Sequence, residues 1–181
     1  MDRDQLTSLA RDIDATCRLT GQFTVRSGQV VSEYFDKYLF ESQPRLLRRV
    51  AEAMVPLLPA DAELLGGLEL GGVPIATTVS SLTGMPALFV RKAAKTYGTC
   101  RLAEGAEVAG RTIVLIEDVI TTGGAVRAAA VALRERGAEV HTVVCAIDRS
   151  PVGTRPLDDV AIDVQSVLTR ADLDQVHESA R

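Results

Sequence analysis

Residues 3–19 place Leu6, Leu9, Ile13 and Cys17 at helical spacing with Asp and Arg between them, which predicts an amphipathic helix. The next stretch, "GQFTVRSGQVVSEYFDKYLF" (21–40), reads as short extended segments joined by a turn at Ser27-Gly28. Pro44 then opens a second helix with Leu46, Leu47, Val50, Met54 and Leu57 on one face, and Pro59 stops it. From there the pattern alternates. Strands are expected at 63–68, 86–92, 112–118 and 139–148, with helices at 73–83 and 124–136, the latter closed by Gly137. Near-continuous apolar strands separated by helices predict a parallel sheet covered on both faces, an α/β fold. The segment 93–110 departs from this pattern. It is polar, contains glycine and is long for a connection inside a compact domain, as functional lids are.

Composition narrows the field. A chain of 181 residues, 46% hydrophobic and 24% charged, suits one soluble domain with a real core. No apolar run reaches membrane-spanning length and no signal segment opens the chain, so no membrane partner is expected. A net charge of -4 argues against non-specific nucleic-acid binding, which draws on cationic neutralisation of phosphates. Cys17, Cys100 and Cys145 are odd in number and lack metal-ligand spacing, which points to a reducing, cytoplasmic setting.

The chemistry concentrates in "IVLIEDVITTGGAV" (113–126). Ligands of open parallel sheets bind outside the carboxyl ends of the strands, and Glu117 and Asp118 are expected at such an end. The turn from Thr121 to Ala125 into the next helix gathers backbone N–H groups, hydroxyls and the positive end of a helix into an anion site. Carboxylates beside an anion cannot be aimed at it; they suit sugar hydroxyls or hydrated Mg²⁺. Neighbouring residues of a regular strand face opposite ways, so both acids can serve one ligand only if the strand is already ending there. The turn is neither a Walker A loop nor a G-x-G-x-x-G dinucleotide turn.

Other stretches are ambiguous alone. "RKAAKTYG" (91–98) offers Arg91, Lys92 and Lys95, which read as a solvated face or as a clamp on pyrophosphate. "GGLELGGVPIA" (66–76) is a glycine-rich βα turn. Tyr34 and Phe35 read equally as core aromatics or as a ligand platform. Arg149, beside Asp148 just past a strand, is either half of a surface pair or a fork for a carboxylate.

Together these motifs resemble the type I phosphoribosyltransferases, and within them the orotate phosphoribosyltransferases, over residues 21–168. In that family two adjacent acids bind the ribose hydroxyls of 5-phosphoribosyl 1-diphosphate (PRPP) and the following turn binds its 5′-phosphate. The resemblance therefore assigns Glu117 and Asp118 to the sugar, and Val119, Ile120, Thr121, Thr122, Gly123, Gly124 and Ala125 to the phosphate turn. Glu69, Leu70, Gly71 and Gly72 match the pyrophosphate loop in position. Arg91, Lys92, Lys95 and Tyr97 match the catalytic loop, where the family usually has His in place of Tyr97. "FTVRSGQVVSEYFDK" resembles the hood over the base, which implies Arg26, Tyr34 and Phe35 against orotate, with Lys37 a further cation nearby. Arg149 would meet the orotate carboxylate, with Thr121 also at the base.

What the resemblance implies is a single domain over 1–181: a hood at about 1–42 with a possible C-terminal contribution, a core at about 43–168, and a catalytic loop at about 93–110. It implies transfer of the phosphoribosyl group from PRPP to orotate through an oxocarbenium-like transition state, with Lys95, Asp118 and Glu117 as the catalytic set. Mg²⁺ would be carried by PRPP rather than held directly by the protein, and a homodimer would share its active sites. Two alternatives stand beside it: a transferase for another nucleobase, and a non-catalytic PRPP-binding regulator. His141, His177 and Cys100 receive no role.

Overall fold

The computed structural model describes residues 1–25, 28–92 and 102–179. Helix α1 (Arg3–Cys17) starts at a reciprocal cap: Asp2 accepts from the Gln5 N–H while the Gln5 side chain accepts from the Asp2 N–H. It leads into the antiparallel hairpin β1 (Arg18–Thr24) and β2 (Val30–Phe35), which forms a small sheet of its own. A single helical turn α2 (Tyr38–Glu41) then precedes α3 (Pro44–Met54).

The larger sheet is built from β3 (Leu64–Leu68), β4 (Ala87–Val90), β5 (Ala103–Glu104), β6 (Thr112–Ile120), β7 (Glu139–Asp148) and β8 (Asp163–Thr169). Its order is β5-β4-β3-β6-β7-β8, so β6 lies inside the sheet, paired with β3 and β7. Helix α4 (Gly72–Thr83) follows β3, α5 (Gly124–Arg134) follows β6, and α6 (Arg170–Ser179) follows β8.

Alternation along β6 feeds two cores. Val114 and Ile116 pack with residues of α1, α3, α4 and α6, whereas Ile113 and Leu115 pack with Val126, Ala130 and Leu133 of α5. The sheet is thus covered on both faces, as the apolar runs predicted.

Four expectations are corrected. The sheet is mixed, because β5 runs antiparallel to β4 as an edge strand inside the segment read as loop. Strand β6 does not end at Glu117 and Asp118; it stays paired with β7 through Val119↔Ile147 and Ile120↔Asp148. The second α-helix stops at Met54 rather than near Pro59, since Pro56 falls in a 3₁₀ turn over Val55–Leu57. The helix expected to reach residue 136 closes at Arg134.

Candidate active site

The turn expected to bind phosphate follows β6. Gly123, at φ +70, caps α5, and a Cβ there would lie 2.6 Å from Leu157 Cδ2, so the turn is fitted to glycine. Glu117 and residues 119–126 line a cavity of about 210 Å³ at the start of α5. The Arg149 N–H donates to the Ile120 carbonyl at 2.8 Å, which ties the end of β7 to the mouth of this cradle.

The two acids do not reach the site in the same way. Asp118 is completely buried on the α4 side of β6: its Oδ1 accepts from the Val119 N–H, and its Oδ2 lies 2.6 Å from Lys37 Nζ in a close ion pair. Glu117 is 9% exposed and faces the cradle, and its Oε2 is buried with no partner among the described residues. A third carboxyl, Glu41 of α2, joins them at 8% exposure. Gly71 passes so close that a Cβ on it would sit 1.6 Å from Asp118 Oδ2 and 2.7 Å from Glu41 Oε1.

Crowding sets the charge states. Burial first, and then the charge of Asp118, push Glu117 up to about 9. Burial and the neighbouring Asp118 push Glu41 up to about 8. Burial works against the Lys37 ammonium, but its pairing with Asp118 outweighs that and raises its pKa. The cluster is therefore one close ion pair, Lys37 with Asp118, flanked by two carboxyls whose neutral form burial favours.

The residues expected to form a pyrophosphate loop make the β3–α4 turn, with a cis peptide between Glu69 and Leu70. Glu69 Oε2 accepts from the Lys92 N–H at 2.9 Å, and the Glu69 N–H donates to the Val90 carbonyl at 2.8 Å. Arg91 is held through its N–H to the Leu102 carbonyl, and its Nε is buried without a partner among the described residues. Arg91 and Lys92 share with Glu69 and Ala125 a cavity of about 140 Å³, which brings the loop's first cations beside the phosphate turn. Arg26, Lys95 and Tyr97 lie outside the described residues.

At the expected base pocket, the Arg149 guanidinium stacks over the Phe35 ring at 5.1 Å. Tyr34, on the other face of β2, is 44% exposed and meets the Phe23 ring at 5.5 Å. Burial, followed by repulsion from Arg170 and Arg18, lowers the Arg149 pKa, with Asp174 partly opposing. Among the described residues no carboxylate pairs with Arg149. It is a half-buried cation that a carboxylate ligand would satisfy. Behind it, Arg18 bonds Asp14 at 2.8 Å and Asp174 at 3.2 Å, and His177 Nδ1 lies 3.1 Å from Asp14, so α6 is tied to α1 under the hairpin.

Sequence reasoning missed Glu41 and Arg18. The one signal for Glu41 was its i,i+4 spacing from Lys37 just before Pro44; Arg18 carried only its i,i+4 spacing from Asp14, because its other partners, Glu33 and Asp174, come from elements distant in sequence.

Comparison with known proteins follows the same lines. The family model of the phosphoribosyl transferase domain matches residues 63–179. The orotate phosphoribosyltransferase of Nocardioides sp. is 70% identical over 172 residues, covering 95% of this chain and 96% of that one. The fold is similar to the orotate phosphoribosyltransferase of Mycobacterium tuberculosis H37Rv solved with Fe(III) dicitrate, at TM-score 0.81 and 32% identity over 93% of this chain and 98% of that one. The same enzyme solved with PRPP superposes at TM-score 0.77 and 29% identity, covering 94% and 99% of the two chains.

Proposed function

The chain belongs to the orotate phosphoribosyltransferases, and from that premise we propose that it transfers the 5-phosphoribosyl group of PRPP to orotate, forming orotidine 5′-monophosphate and pyrophosphate in pyrimidine biosynthesis. The observation that carries this reading is the backbone bond from Arg149 to Ile120, which sets a guanidinium without a carboxylate partner among the described residues beside an anion cradle and its acids.

In this reading the turn from Thr121 to Ala125 binds the 5′-phosphate through hydroxyls, backbone N–H groups and the start of α5. Glu117 and Asp118 engage the ribose hydroxyls. Glu117, whose neutral form burial favours, can offer a donor, and the Asp118 carboxyl offers acceptor oxygens. Arg149 and Phe35 orient orotate so that its ring nitrogen meets C1 of the ribose, a positioning effect that can supply much of the acceleration. The backbone from Glu69 to Gly72, with Arg91, Lys92, Lys95 and Tyr97, receives the pyrophosphate and excludes water from the reacting carbon. No side chain is assigned as a general base.

The donors around the cradle fit Mg²⁺ brought in on PRPP. The hydroxyl and backbone carbonyl oxygens there are of the hard type that this ion accepts beside phosphates and water. When bound, Mg²⁺ supplies charge neutralisation at the departing pyrophosphate.

The hairpin with α1 and α2, about residues 1–42, would serve as the hood with α6 contributing behind it, over a core at about 43–168 and a catalytic loop at about 93–110. A cytoplasmic homodimer with shared sites completes the reading. No helix among the described residues is long and apolar enough to cross a membrane. The test is an absorbance assay with PRPP, Mg²⁺ and orotate, uracil, adenine or hypoxanthine offered separately. Consumption of orotate alone is expected. Turnover of another base instead would discard the base-pocket assignment, and no turnover alongside PRPP binding would discard the enzyme.

A further inference from the structure

Asp118 is the most constrained group in the site. Its oxygens meet the Val119 N–H and Lys37, and the backbone of Gly71 leaves no room for a methyl group beside it. Glu41 stands on the same side, nine-tenths buried, with Oε1 unpartnered among the described residues. Both Lys37 and Glu41 belong to the segment that links the hairpin to α3, where Lys37 caps the one-turn helix that ends at Glu41. Three elements therefore converge on a single carboxylate: its own strand, the β3–α4 turn and α2.

Three adjacent carboxyls beside an anion cradle pose an electrostatic problem, because each unneutralised charge would repel a polyanionic substrate. Lys37 pairs closely with Asp118, and burial favours the neutral form of Glu41. The other titratable and charged groups facing Glu41 are Glu117 on β6, Asp118 itself, Cys17 at the end of α1, and Asp36 and Lys37 just ahead of α2. With Lys37 in place, the sugar end of the site presents oriented hydrogen-bonding groups and little net charge.

We propose that Lys37 and Glu41 are positioning residues for the sugar site: through Asp118 they hold the ribose-binding face in register with the hood and keep it electrically quiet toward an anionic substrate. The proposal rests on the phosphoribosyltransferase reading above. It separates the sugar from the pyrophosphate, because Lys37 acts through Asp118 and not through the β4 loop cations. It also makes α2 the mechanical link between the hood and the ribose.

The test is calorimetric titration of the full chain with two probes, ribose 5-phosphate and inorganic pyrophosphate with Mg²⁺. Lys37→Met is expected to weaken ribose 5-phosphate at least tenfold and pyrophosphate less than threefold, with Lys37→Arg restoring most of the loss. Glu41→Gln, which keeps the shape and the neutral state, is expected to bind both probes as the wild type does, whereas Glu41→Ala loses ribose 5-phosphate selectively. Steady-state kinetics should show the same split, with KM for PRPP rising more than KM for orotate. Should Lys37→Met not fold, the contrast between Glu41→Gln and Glu41→Ala carries the test. Equal weakening of both probes, or none, would overturn the positioning role. Failure of the wild type to bind either probe would instead overturn the phosphoribosyltransferase reading on which the role depends.

Discussion

Gly71→Ala tests the central geometric claim, that the β3–α4 turn is seated directly on Asp118. The new Cβ would lie 1.6 Å from Asp118 Oδ2, where ordinary contacts begin near 3.4 Å, so about 1.8 Å of overlap must be relieved. The turn cannot easily retreat, because at the next residue a Cβ on Gly72 would already lie 2.2 Å from the Ile116 carbonyl. Asp118 must then rotate away from Lys37, and breaking a buried ion pair costs about 3–5 kcal/mol. For a chain of this size each kcal/mol moves Tm by about 2–4 °C, so a loss of about 6–20 °C is expected by scanning calorimetry. Gly84→Ala is the control. Gly84, unlike Gly71, sits at positive φ, +76, and has open space around the Cβ position. It should lose only the left-handed strain of about 1 kcal/mol, or about 2–4 °C. Asp118→Ser in the Gly71→Ala background should recover part of the loss, since it removes the colliding oxygen. A Gly71→Ala protein no less stable than Gly84→Ala, or one that Asp118→Ser does not help, would refute the packing of this turn on the sugar acid.

Four further outcomes are expected. Arg149→Ala should weaken orotate by about 10–100-fold, the worth of a charged hydrogen bond, and leave PRPP nearly unchanged in separate KM measurements. Glu41 and Glu117 are pushed from an ordinary value of 4.5 up to about 8 and about 9. The fold keeps their protons while the unfolded chain has already released its own, so stability in urea should be greatest below about pH 4.5 for these groups, fall as pH rises, and level off above about pH 9; Glu117→Gln should flatten that fall. Lys95→Ala should lower kcat with Tm unchanged, and mixing it with Asp118→Asn should restore activity in the proposed shared-site dimer, whereas no recovery would place each site within one subunit. Arg18→Ala should reduce Tm and speed proteolysis of the hairpin, because Arg18 joins Asp14 of α1 to Asp174 of α6.

The legible part of this chain was the part encoded locally. Helical spacing and near-continuous apolar runs located α1, α4, α5 and the strands β3, β4, β6 and β7, because each element's buried face repeats within its own sequence. The phosphate turn was legible for the same reason: its glycines, hydroxyls and following helix are contiguous. The C-terminal strand and helix escaped, since "DVQSVLT" is only half-buried and "RADLDQVHES" carries just Leu173 and Val176 toward the core. Strand β5 has two residues, too few for any period to register.

The error over Glu117 and Asp118 is the more instructive one. Two acids after a buried run look like the end of a strand if charge is assumed to need solvent. Here β6 stays hydrogen-bonded to β7 beyond both acids, and alternation turns one toward the cradle and the other toward α2. A charge can lie inside a sheet when another segment brings its counter-ion, and that segment is the Lys37 to Glu41 turn, far away in sequence. Residue type and spacing thus singled out the two acids, but how each is placed depends on a tertiary contact that periodicity cannot express. If that contact governs function, substitutions at Lys37 should divide the two acids' contributions to ribose binding, whereas substitutions in the phosphate turn should weaken both alike.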